Sequence, residues 1–307
     1  MLTPIGWSLE DVAAIAGRVE AWRGRALAVT PLAGGITNRN FVVTVDGAER
    51  YVVRFPGERT ELLGIDRAGE REAAARAAVL GIGPLVLAEA LPDVGTVITA
   101  FVPGEHRSGD AFVGRLDEVI DLVRRLHDSA PLDHAFPIHR VVEAHADDAR
   151  RLGVAPPPEA VALLAQAARI ERAFARSPDP AVPCHNDLLP ANVLFGPGRA
   201  WLLDFEYAGN NDRWFDLGNL SVNAALHPDD DEHLLRRYLG APPALRHHAR
   251  LQLMKVMSEL REGMWATVQR AISTLDTDFD AYARERVTSA SRLVADPAYE
   301  RWLADAA

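Results

Sequence analysis

The chain has 307 residues, of which 48% are hydrophobic and 25% charged, as in an ordinary globular protein with one large or two smaller domains. Its formal net charge of −10 argues against a protein that binds the phosphate backbone of nucleic acids, because such proteins normally carry a basic face, but it is compatible with a cationic small substrate. Cys184 is the only cysteine, so a disulfide within the chain and a four-cysteine zinc site are both excluded.

Signals of membrane insertion or export are not found. No apolar run reaches about 18 residues, the length that a transmembrane helix needs. The N-terminus has neither the basic start nor the apolar stretch of a signal peptide. We therefore expect a cytoplasmic protein with neither a membrane nor a nucleic acid as partner, and the sequence leaves its oligomeric state open.

The first third of the chain is predicted to form two helices and a small antiparallel sheet. The first helix is expected from Ser8, as N-cap, to Trp22, with Val12, Ile15 and Val19 on one side. Segments rich in β-branched and aromatic residues predict the strands, and an alanine-rich segment predicts the second helix. The strands are expected at 26–32, 41–45, 51–55, 85–90 and 94–101, and the second helix at 67–80.

The remainder of the chain has the apolar spacing of helices, interrupted by strand-like segments in the middle. The helices are expected at 117–127, 160–175 and 251–272, and the strand-like segments at 182–195 and 200–205. We therefore predict an α+β fold with two lobes. Residues 1–102 form the small lobe, built on an antiparallel sheet, and residues 103–307 form the larger, mainly helical lobe.

The strongest chemical signal lies in the middle of the chain. Asp187 and Asn192 stand five residues apart in one segment, and Asp204 follows a short apolar strand. Such a set can present one carboxylate to a substrate hydroxyl while the remaining carboxylate and amide hold Mg²⁺ against nucleotide phosphates, which is the division of labour that phosphoryl transfer needs. Each residue alone is more often a turn or cap residue, but the three in this order favour the catalytic interpretation.

This segment resembles the catalytic and metal loops of the kinase fold. The pattern is His-x-Asp-x-x-x-x-Asn from His185, followed by Asp-Phe-Glu from Asp204, and the glutamate in place of glycine resembles the aminoglycoside phosphotransferase and choline kinase branch. The resemblance implies a two-lobed protein-kinase-like fold and the use of ATP and Mg²⁺. It implies that Asp187 is the catalytic base, that Asn192, Asp204 and Glu206 are on the metal side, and that His185 supports the loop.

The nucleotide side of the site is expected in the first lobe. Gly34 and Gly35 lie between two predicted strands, where glycine lets the backbone approach phosphates, and Thr37 and Asn38 can donate hydrogen bonds to them. A Gly-Gly pair alone is usually only a turn, and its value here comes from its position ahead of the catalytic segment. The segment resembles the Gly-Gly-x-Thr/Ser-Asn loop of choline and ethanolamine kinases.

Arg54 is the only basic residue on the strand where protein kinases carry a lysine. Choline kinases also have arginine there, so the resemblance assigns Arg54 to the phosphates. Its acidic partner is expected on the following helix, with Glu70 favoured over Glu72. The resemblance places the hinge that meets adenine at Thr99 to Val102, with Thr99 and Phe101 as binding residues.

A late helical segment bears on the substrate. Glu262, Trp265 and Gln269 are spaced to share one helix face, and an indole beside a carboxylate can bind a quaternary ammonium by cation–π and Coulomb attraction. The arrangement resembles the late helix of choline kinases, although Trp265 could equally be a core aromatic. The resemblance also assigns Glu206, Tyr207 and Trp214 to the substrate side, together with Asp187.

The resemblance extends from about residue 32 to residue 282. It predicts an ATP-dependent kinase that phosphorylates a hydroxyl of a small molecule, with choline or a related amino alcohol as the first candidate. Kinases of the same fold act on aminoglycosides, thiamine and other metabolites, so fold does not choose the substrate. A regulatory pseudokinase is the remaining alternative, but it would normally have lost one of Asp187, Asn192 or Asp204.

Overall fold

In the computed structural model, the described parts of the chain are residues 8–32, 38–56, 60–87 and 95–307. The helices in these parts are α1 (Leu9–Ala16), α2 (Arg67–Val79), α3 (Asp110–Val113), α4 (Leu116–His127), α5 (Ile138–Arg151), α6 (Glu159–Ala175), α7 (Arg213–Asn223), α8 (Pro228–Leu239), α9 (Leu245–Ile272), α10 (Phe279–Val294) and α11 (Tyr299–Asp305). The strands are β1 (Leu27–Leu32), β2 (Asn38–Val45), β3 (Glu49–Pro56), β4 (Val97–Ala100), β5 (Val182–Cys184), β6 (Val193–Gly196), β7 (Arg199–Leu202) and β8 (Gly209–Asn211).

The small lobe is a four-stranded antiparallel sheet in the order β1-β2-β3-β4. Its core follows the period of two expected of a half-buried strand, because Phe41, Val43 and Val45 of β2 are all buried. Val53 of β3 packs in the same cluster as these residues and pairs with Ile98 of β4. The predicted small antiparallel sheet is therefore confirmed, and residues 88–90 and 94 of the two predicted strands at 85–90 and 94–101 lie outside the described residues.

The first helix is shorter than its apolar pattern predicts. It begins as expected at a capping box, in which the Asp11 amide donates to Ser8 Oγ at 3.1 Å and the Ser8 amide donates to Asp11 Oδ2 at 2.8 Å. It ends at Ala16, and Gly17 caps it. A separate 3₁₀ turn places Trp22 in the core of the small lobe. The apolar residues are therefore buried as their spacing predicts, but they do not lie on one continuous helix.

The larger lobe is organised around α9, a helix of 28 residues. Between residues 256 and 269 every side chain of α9 is buried, as expected for a helix that is covered on all sides. Helices α5, α7 and α10 pack against it. The mainly helical character of this lobe confirms the predicted α+β fold, and within the described residues no helix has the length and apolar character to cross a bilayer.

The segment predicted as one strand at 182–195 is instead two short strands with a loop between them. β5 pairs with β8, and β6 pairs with β7 in a separate hairpin. The chain leaves the extended conformation at Asn186, whose φ is +64°, and makes a 3₁₀ turn at Pro190–Asn192 before β6. This break matters because the loop between β5 and β6 carries the residues of the candidate site. The division of the lobes at residue 102 stays a prediction.

Candidate active site

Side chains of α7 hold the backbone of the loop between β5 and β6. The carboxylate of Asp216, which is fully buried, accepts from the amides of His185 at 2.8 Å and Asn186 at 2.7 Å. One helical turn later, Asn219 Oδ1 accepts from the amide of Leu188 at 2.5 Å. The loop is therefore fixed by two side chains of a neighbouring helix rather than by a sheet, and buried amides that would otherwise be orphaned are satisfied.

Asp187, Asn192 and Asp204 come together as the sequence predicts. The Asn192 amide nitrogen donates to the Asp187 carbonyl at 2.8 Å and to Asp187 Oδ2 at 3.0 Å, so Asn192 Oδ1 is the atom that can accept a cation. The amide of Leu203 donates to the Asn192 carbonyl at 2.8 Å, which places Asp204 next to the loop. Asp204 has a φ of +63°, a left-handed conformation that aspartate tolerates better than most residues.

His185 is a supporting residue of this loop. It is fully buried, and its Nε2 lies 2.8 Å from the carbonyl oxygen of Leu203, the residue before Asp204. Burial lowers the pKa of His185, so the imidazole is neutral at pH 7 and donates its proton to that carbonyl. The ring also packs against Phe205, with 4.9 Å between the ring centroids. Its position ties the loop between β5 and β6 to the segment that carries Asp204.

Arg54 links the two lobes at the site. Its guanidinium forms ion pairs with Glu70 of α2 and with Asp204. Burial opposes its charged form, but the carboxylates of Asp204 and then Glu70 raise the pKa of Arg54, so it stays charged. Glu72, the rival partner, instead accepts from the amide of Asp133 at 2.9 Å. The structure therefore pairs Arg54 with Glu70.

Asn38 and Arg67 extend this network to Glu206. The Asn38 amide nitrogen donates to Glu206 Oε2 at 2.8 Å, and Arg67 Nη1 lies 2.6 Å from Glu70 Oε2 and 3.6 Å from Glu206 Oε2. Glu206 is buried, so these contacts stabilise its charge. The predicted nucleotide-loop residues Gly34, Gly35 and Thr37 lie outside the described residues.

The proposed hinge residues lie at the end of β4. Thr99 is paired with Val52 of β3, and on its other side it makes an isolated bridge with Val86. The amide of Phe101 donates to the carbonyl of Arg50 at 2.9 Å, and the Arg50 guanidinium lies 3.6 Å from the centre of the Phe101 ring. Since the Phe101 amide already has a partner, the carbonyl of Phe101 is the group that it can offer to a nucleotide base.

Five residues that we call the α9 cluster lie beside Asp187: Tyr207, Arg261, Glu262, Trp265 and Tyr282. The indole nitrogen of Trp265 donates to the Tyr207 hydroxyl at 2.9 Å, and the Tyr282 hydroxyl donates to Glu262 Oε2 at 3.0 Å. Glu262 also forms an ion pair with Arg261. The carboxylate predicted to face a cationic substrate is therefore largely neutralised within the protein.

Sequence reasoning missed Arg261. The residue is 1% exposed, its Nη1 lies 3.5 Å from Asp187 Oδ1, and its guanidinium covers the Tyr207 ring at 4.2 Å. Burial opposes its charged form, but the carboxylate of Glu262 raises the pKa of Arg261, so the guanidinium stays charged. The available signal was an Arg-Glu pair inside a long apolar helix, where an unpaired charge would be costly.

The assignment of Trp214 to the substrate side is wrong. Its indole nitrogen donates to Asp179 at 2.8 Å, and its ring stacks on His247 with 5.4 Å between the centroids. His247 lies 18 residues before Trp265 on α9, which corresponds to about 27 Å at the helical rise per residue. Trp214 is therefore a buried residue packed near the start of α9, far from the α9 cluster.

The ion pairs of the site have an excess of negative charge. They contain five carboxylates and three guanidinium groups, which leaves a formal charge of −2. The groups are Glu70, Asp187, Asp204, Glu206 and Glu262, and Arg54, Arg67 and Arg261. Burial raises the pKa of Asp187 to about 8, although Arg261 acts against the shift, so with Asp187 protonated the excess is −1 and with Asp187 ionised it is −2. Carboxylate and amide oxygens with surplus negative charge fit Mg²⁺, which prefers such ligands.

Comparison with known proteins agrees with this geometry. The model of the phosphotransferase enzyme family matches residues 28–253. The chain is 26% identical over 292 residues to ethanolamine kinase 2 of Mus musculus, covering 85% of this chain and 75% of that protein. It also resembles a choline/ethanolamine kinase family protein of Mesorhizobium loti, with a TM-score of 0.82, 29% identity and coverage of 97% of this chain and 98% of that one. The choline kinase LicA of Streptococcus pneumoniae shares the fold, with a TM-score of 0.78, 19% identity and coverage of 92% and 99%.

Proposed function

Because the chain belongs to the phosphotransferase enzyme family, we propose that this small-molecule alcohol kinase transfers the γ-phosphate of ATP to the hydroxyl of an amino alcohol of the choline and ethanolamine class. The observation that carries the proposal is the meeting of Asp187, Asn192 and Asp204 at one loop, with Asn192 bonded to Asp187. The named relatives, which are ethanolamine and choline kinases, support an amino alcohol as acceptor.

In the proposed mechanism, Asp187 orients the acceptor hydroxyl and accepts its proton. A bond forms between the hydroxyl oxygen and the γ-phosphorus, and the bond between that phosphorus and the leaving oxygen of ADP breaks. Arg54 binds phosphate oxygens, and Asn192 Oδ1, Asp204 and Glu206 would hold Mg²⁺, which neutralises the phosphate charge. Glu70 keeps Arg54 in place.

The charge of the site supports a cationic acceptor. The ion pairs of the site have an excess of one negative charge with Asp187 protonated and of two with Asp187 ionised, and either excess attracts both a divalent cation and an ammonium group. Aminoglycosides and thiamine are also cationic, so charge alone does not separate the alternatives. The size and shape of the acceptor must therefore decide which one is used, and turnover on a panel of acceptors measures this preference directly.

The test is ADP release from Mg-ATP with choline, ethanolamine, thiamine and an aminoglycoside, using Asp187→Ala as the blank. We expect turnover on choline or ethanolamine that is absent in the variant. Turnover on thiamine or the aminoglycoside alone would keep the kinase chemistry and overturn the amino alcohol. Binding of ATP without turnover on any acceptor would contradict the proposal and favour a regulatory role.

Replacing Arg54 should weaken both nucleotide binding and catalysis. Arg54→Met removes a buried cation from Glu70 and Asp204, and we expect the KM for ATP to rise about tenfold and kcat to fall about 10²-fold. Arg54→Lys should recover only part of the loss, because one ammonium cannot match two carboxylates with the planar fork of a guanidinium. Steady-state kinetics in ATP measure both constants.

The matched control is Arg25→Met. Arg25 also bridges two carboxylates of the small lobe, Asp46 and Glu49, but it is half-exposed and lies away from the site. We expect Arg25→Met to leave kcat and the KM for ATP unchanged. Equal losses in the two variants would show that Arg54 only stabilises the lobe.

Trp265→Ala should raise the KM for the acceptor about tenfold, the order of a buried cation–π contact, while the KM for ATP stays within about twofold. Trp265→Phe keeps an aromatic face but loses the donor to Tyr207, so most of the acceptor affinity should return. Trp302→Ala, on α11, is the control, and it should leave the KM values for the acceptor and for ATP unchanged. Equal increases in both KM values for Trp265→Ala would indicate a packing role instead.

A further inference from the structure

Arg261 has hydrogen-bonding capacity that the protein itself does not use. Its Nη1 faces Glu262 and Asp187. Its Nε and Nη2 are buried and have no hydrogen-bond partner among the described residues. In those parts of the chain, several arginines have a buried Nε without a partner, but Arg261 is the one that also has an unpartnered buried terminal nitrogen.

The contact with Tyr207 does not satisfy these donors. A ring 4.2 Å from the guanidinium carbon interacts with the face of the guanidinium group, whereas the five N–H bonds lie in its plane. Nε–H and Nη2–H therefore have no hydrogen-bond acceptor among the described residues. Buried polar groups are almost always hydrogen-bonded, so two such donors beside the catalytic carboxylate point to a ligand.

His145 of α5 is a second buried polar group in this region. It is 2% exposed, and a hydrogen bond with the backbone of Leu63 acts to raise its pKa. Burial and then the charge of Arg261 outweigh this effect and lower the pKa of His145 to about 3, so the imidazole is neutral. Helices α5 and α9 pack together and carry both residues.

The position of Arg261 limits what can bind there. Nη1 of Arg261 lies 3.5 Å from Asp187 Oδ1, and Nε and Nη2 are bonded to the same guanidinium carbon, so both donors belong to a group that directly faces the carboxylate proposed to orient the acceptor hydroxyl. Asp187 keeps 11% of its side-chain surface exposed, and the acceptor approaches Arg261 along this carboxylate. Choline and ethanolamine have no oxygen other than that hydroxyl, so they would leave both donors unpaired.

We propose that Arg261 is a specificity-determining residue, and that the preferred acceptor carries, on the carbon next to the one that bears the reacting hydroxyl, a hydroxymethyl or a carboxylate group that supplies a second oxygen. This oxygen accepts hydrogen bonds from Nε and Nη2 of Arg261. The inference rests on the proposed function and narrows its acceptor class. The ammonium group of the same acceptor is matched by the negative excess of the site.

Three acceptors that differ in one substituent provide the test. Serinol is ethanolamine with an added hydroxymethyl group, and serine is ethanolamine with an added carboxylate on the same carbon. We expect kcat/KM for serinol or serine to exceed that for ethanolamine at least about tenfold, the order of a charge-assisted hydrogen bond. Preference for serinol identifies a hydroxyl, and preference for serine identifies a carboxylate.

Arg261→Lys separates recognition from a general effect on Asp187. Lysine keeps a positive charge toward Glu262 but lacks the planar fork, so the ratio of kcat/KM values between the preferred acceptor and ethanolamine should fall toward one. A loss of activity that is the same for all acceptors, such as a general effect on Asp187, does not change this ratio. Arg270→Lys, an exposed arginine of the same helix paired with Asp280, should leave the ratio unchanged.

The outcomes are distinct. If the wild-type protein uses ethanolamine or choline as efficiently as serinol and serine, the inference is overturned while the proposed function stands. The same holds if Arg261→Lys keeps the wild-type ratio. If none of the four is phosphorylated, the proposed function fails and the inference falls with it. Should Arg261→Lys not fold, the wild-type series alone decides.

Discussion

Asp187→Asn is expected to lower kcat about 10³-fold while the KM for ATP stays within about twofold. The asparagine side chain has nearly the same shape, and it can still accept the hydrogen bond from Asn192, which lies 3.0 Å from Asp187 Oδ2. It cannot take the proton of the acceptor hydroxyl. The loss should therefore fall on the chemical step and leave nucleotide binding almost intact.

Single-turnover formation of the phosphorylated product measures this step directly. Thermal unfolding of the same sample checks that Asp187→Asn is folded, which matters because the carboxylate also faces Arg261. Asp147→Asn, an exposed residue paired with Arg150, is the control for removing a carboxylate. A variant that kept more than about a tenth of the wild-type rate would exclude Asp187 as the base.

Local patterns made the fold predictable where one stretch of chain determines its own structure. The β-branched and aromatic residues at 41–45 mark β2, and Phe41, Val43 and Val45 pack on the core. The alanine-rich stretch of α2 is helical by propensity, and its start is fixed by the Asp66 carboxylate, which accepts from the amides of Ala68 and Gly69.

Elements that depend on distant partners were not predicted. Helix α5 is rich in charged residues, and its few buried positions, such as Val142 and Ala149, gain their packing from α9 and α6. The prediction of one strand at 182–195 was wrong for a related reason. Its apolar residues are buried, but the amides of the loop are bonded to Asp216 and Asn219, about 30 residues further along the chain.

In the candidate site too, residues in a local sequence pattern were predicted, and residues placed by distant packing were not. The spacing of Asp187, Asn192 and Asp204 is a local pattern, so it could be read from the sequence. Arg261 lies 74 residues from Asp187, and its contact depends on how α9 packs against the loop. Trp214 was misassigned because it lies close in sequence to Tyr207, although α7 directs it to the opposite end of α9.

Asp216→Ala is the second large effect that we expect, and it should act first on stability. The carboxylate is fully buried, and its removal leaves three polar partners without an acceptor: the amides of His185 and Asn186, and His127 Nε2 at 3.0 Å. Loss of such a buried acceptor should lower the free energy of unfolding by about 3–5 kcal/mol. Urea denaturation measures it, with activity followed in parallel.

Asp212→Ala is the matched control on the same helix. Asp212 caps α7 by accepting from the amide of Trp214 at 3.0 Å, and the loss of a helix cap should reduce the free energy of unfolding by only about 1 kcal/mol. Equal destabilisation of the two variants would show that the loop does not depend on Asp216.

Comparison of their variants distinguishes the role of Asp187, which lies in the loop, from that of Asp216, which supports the loop from α7. If Asp187 performs chemistry and Asp216 holds the backbone that carries it, Asp187→Asn loses turnover at nearly wild-type stability, whereas Asp216→Ala loses both. Asp216→Asn keeps one acceptor oxygen for two amides that point at separate carboxylate oxygens, so it should lie between alanine and the wild type in both measurements. A graded loss of turnover that follows stability across the Asp216 series, with no such relation at Asp187, would establish that α7 acts on catalysis through the position of the loop.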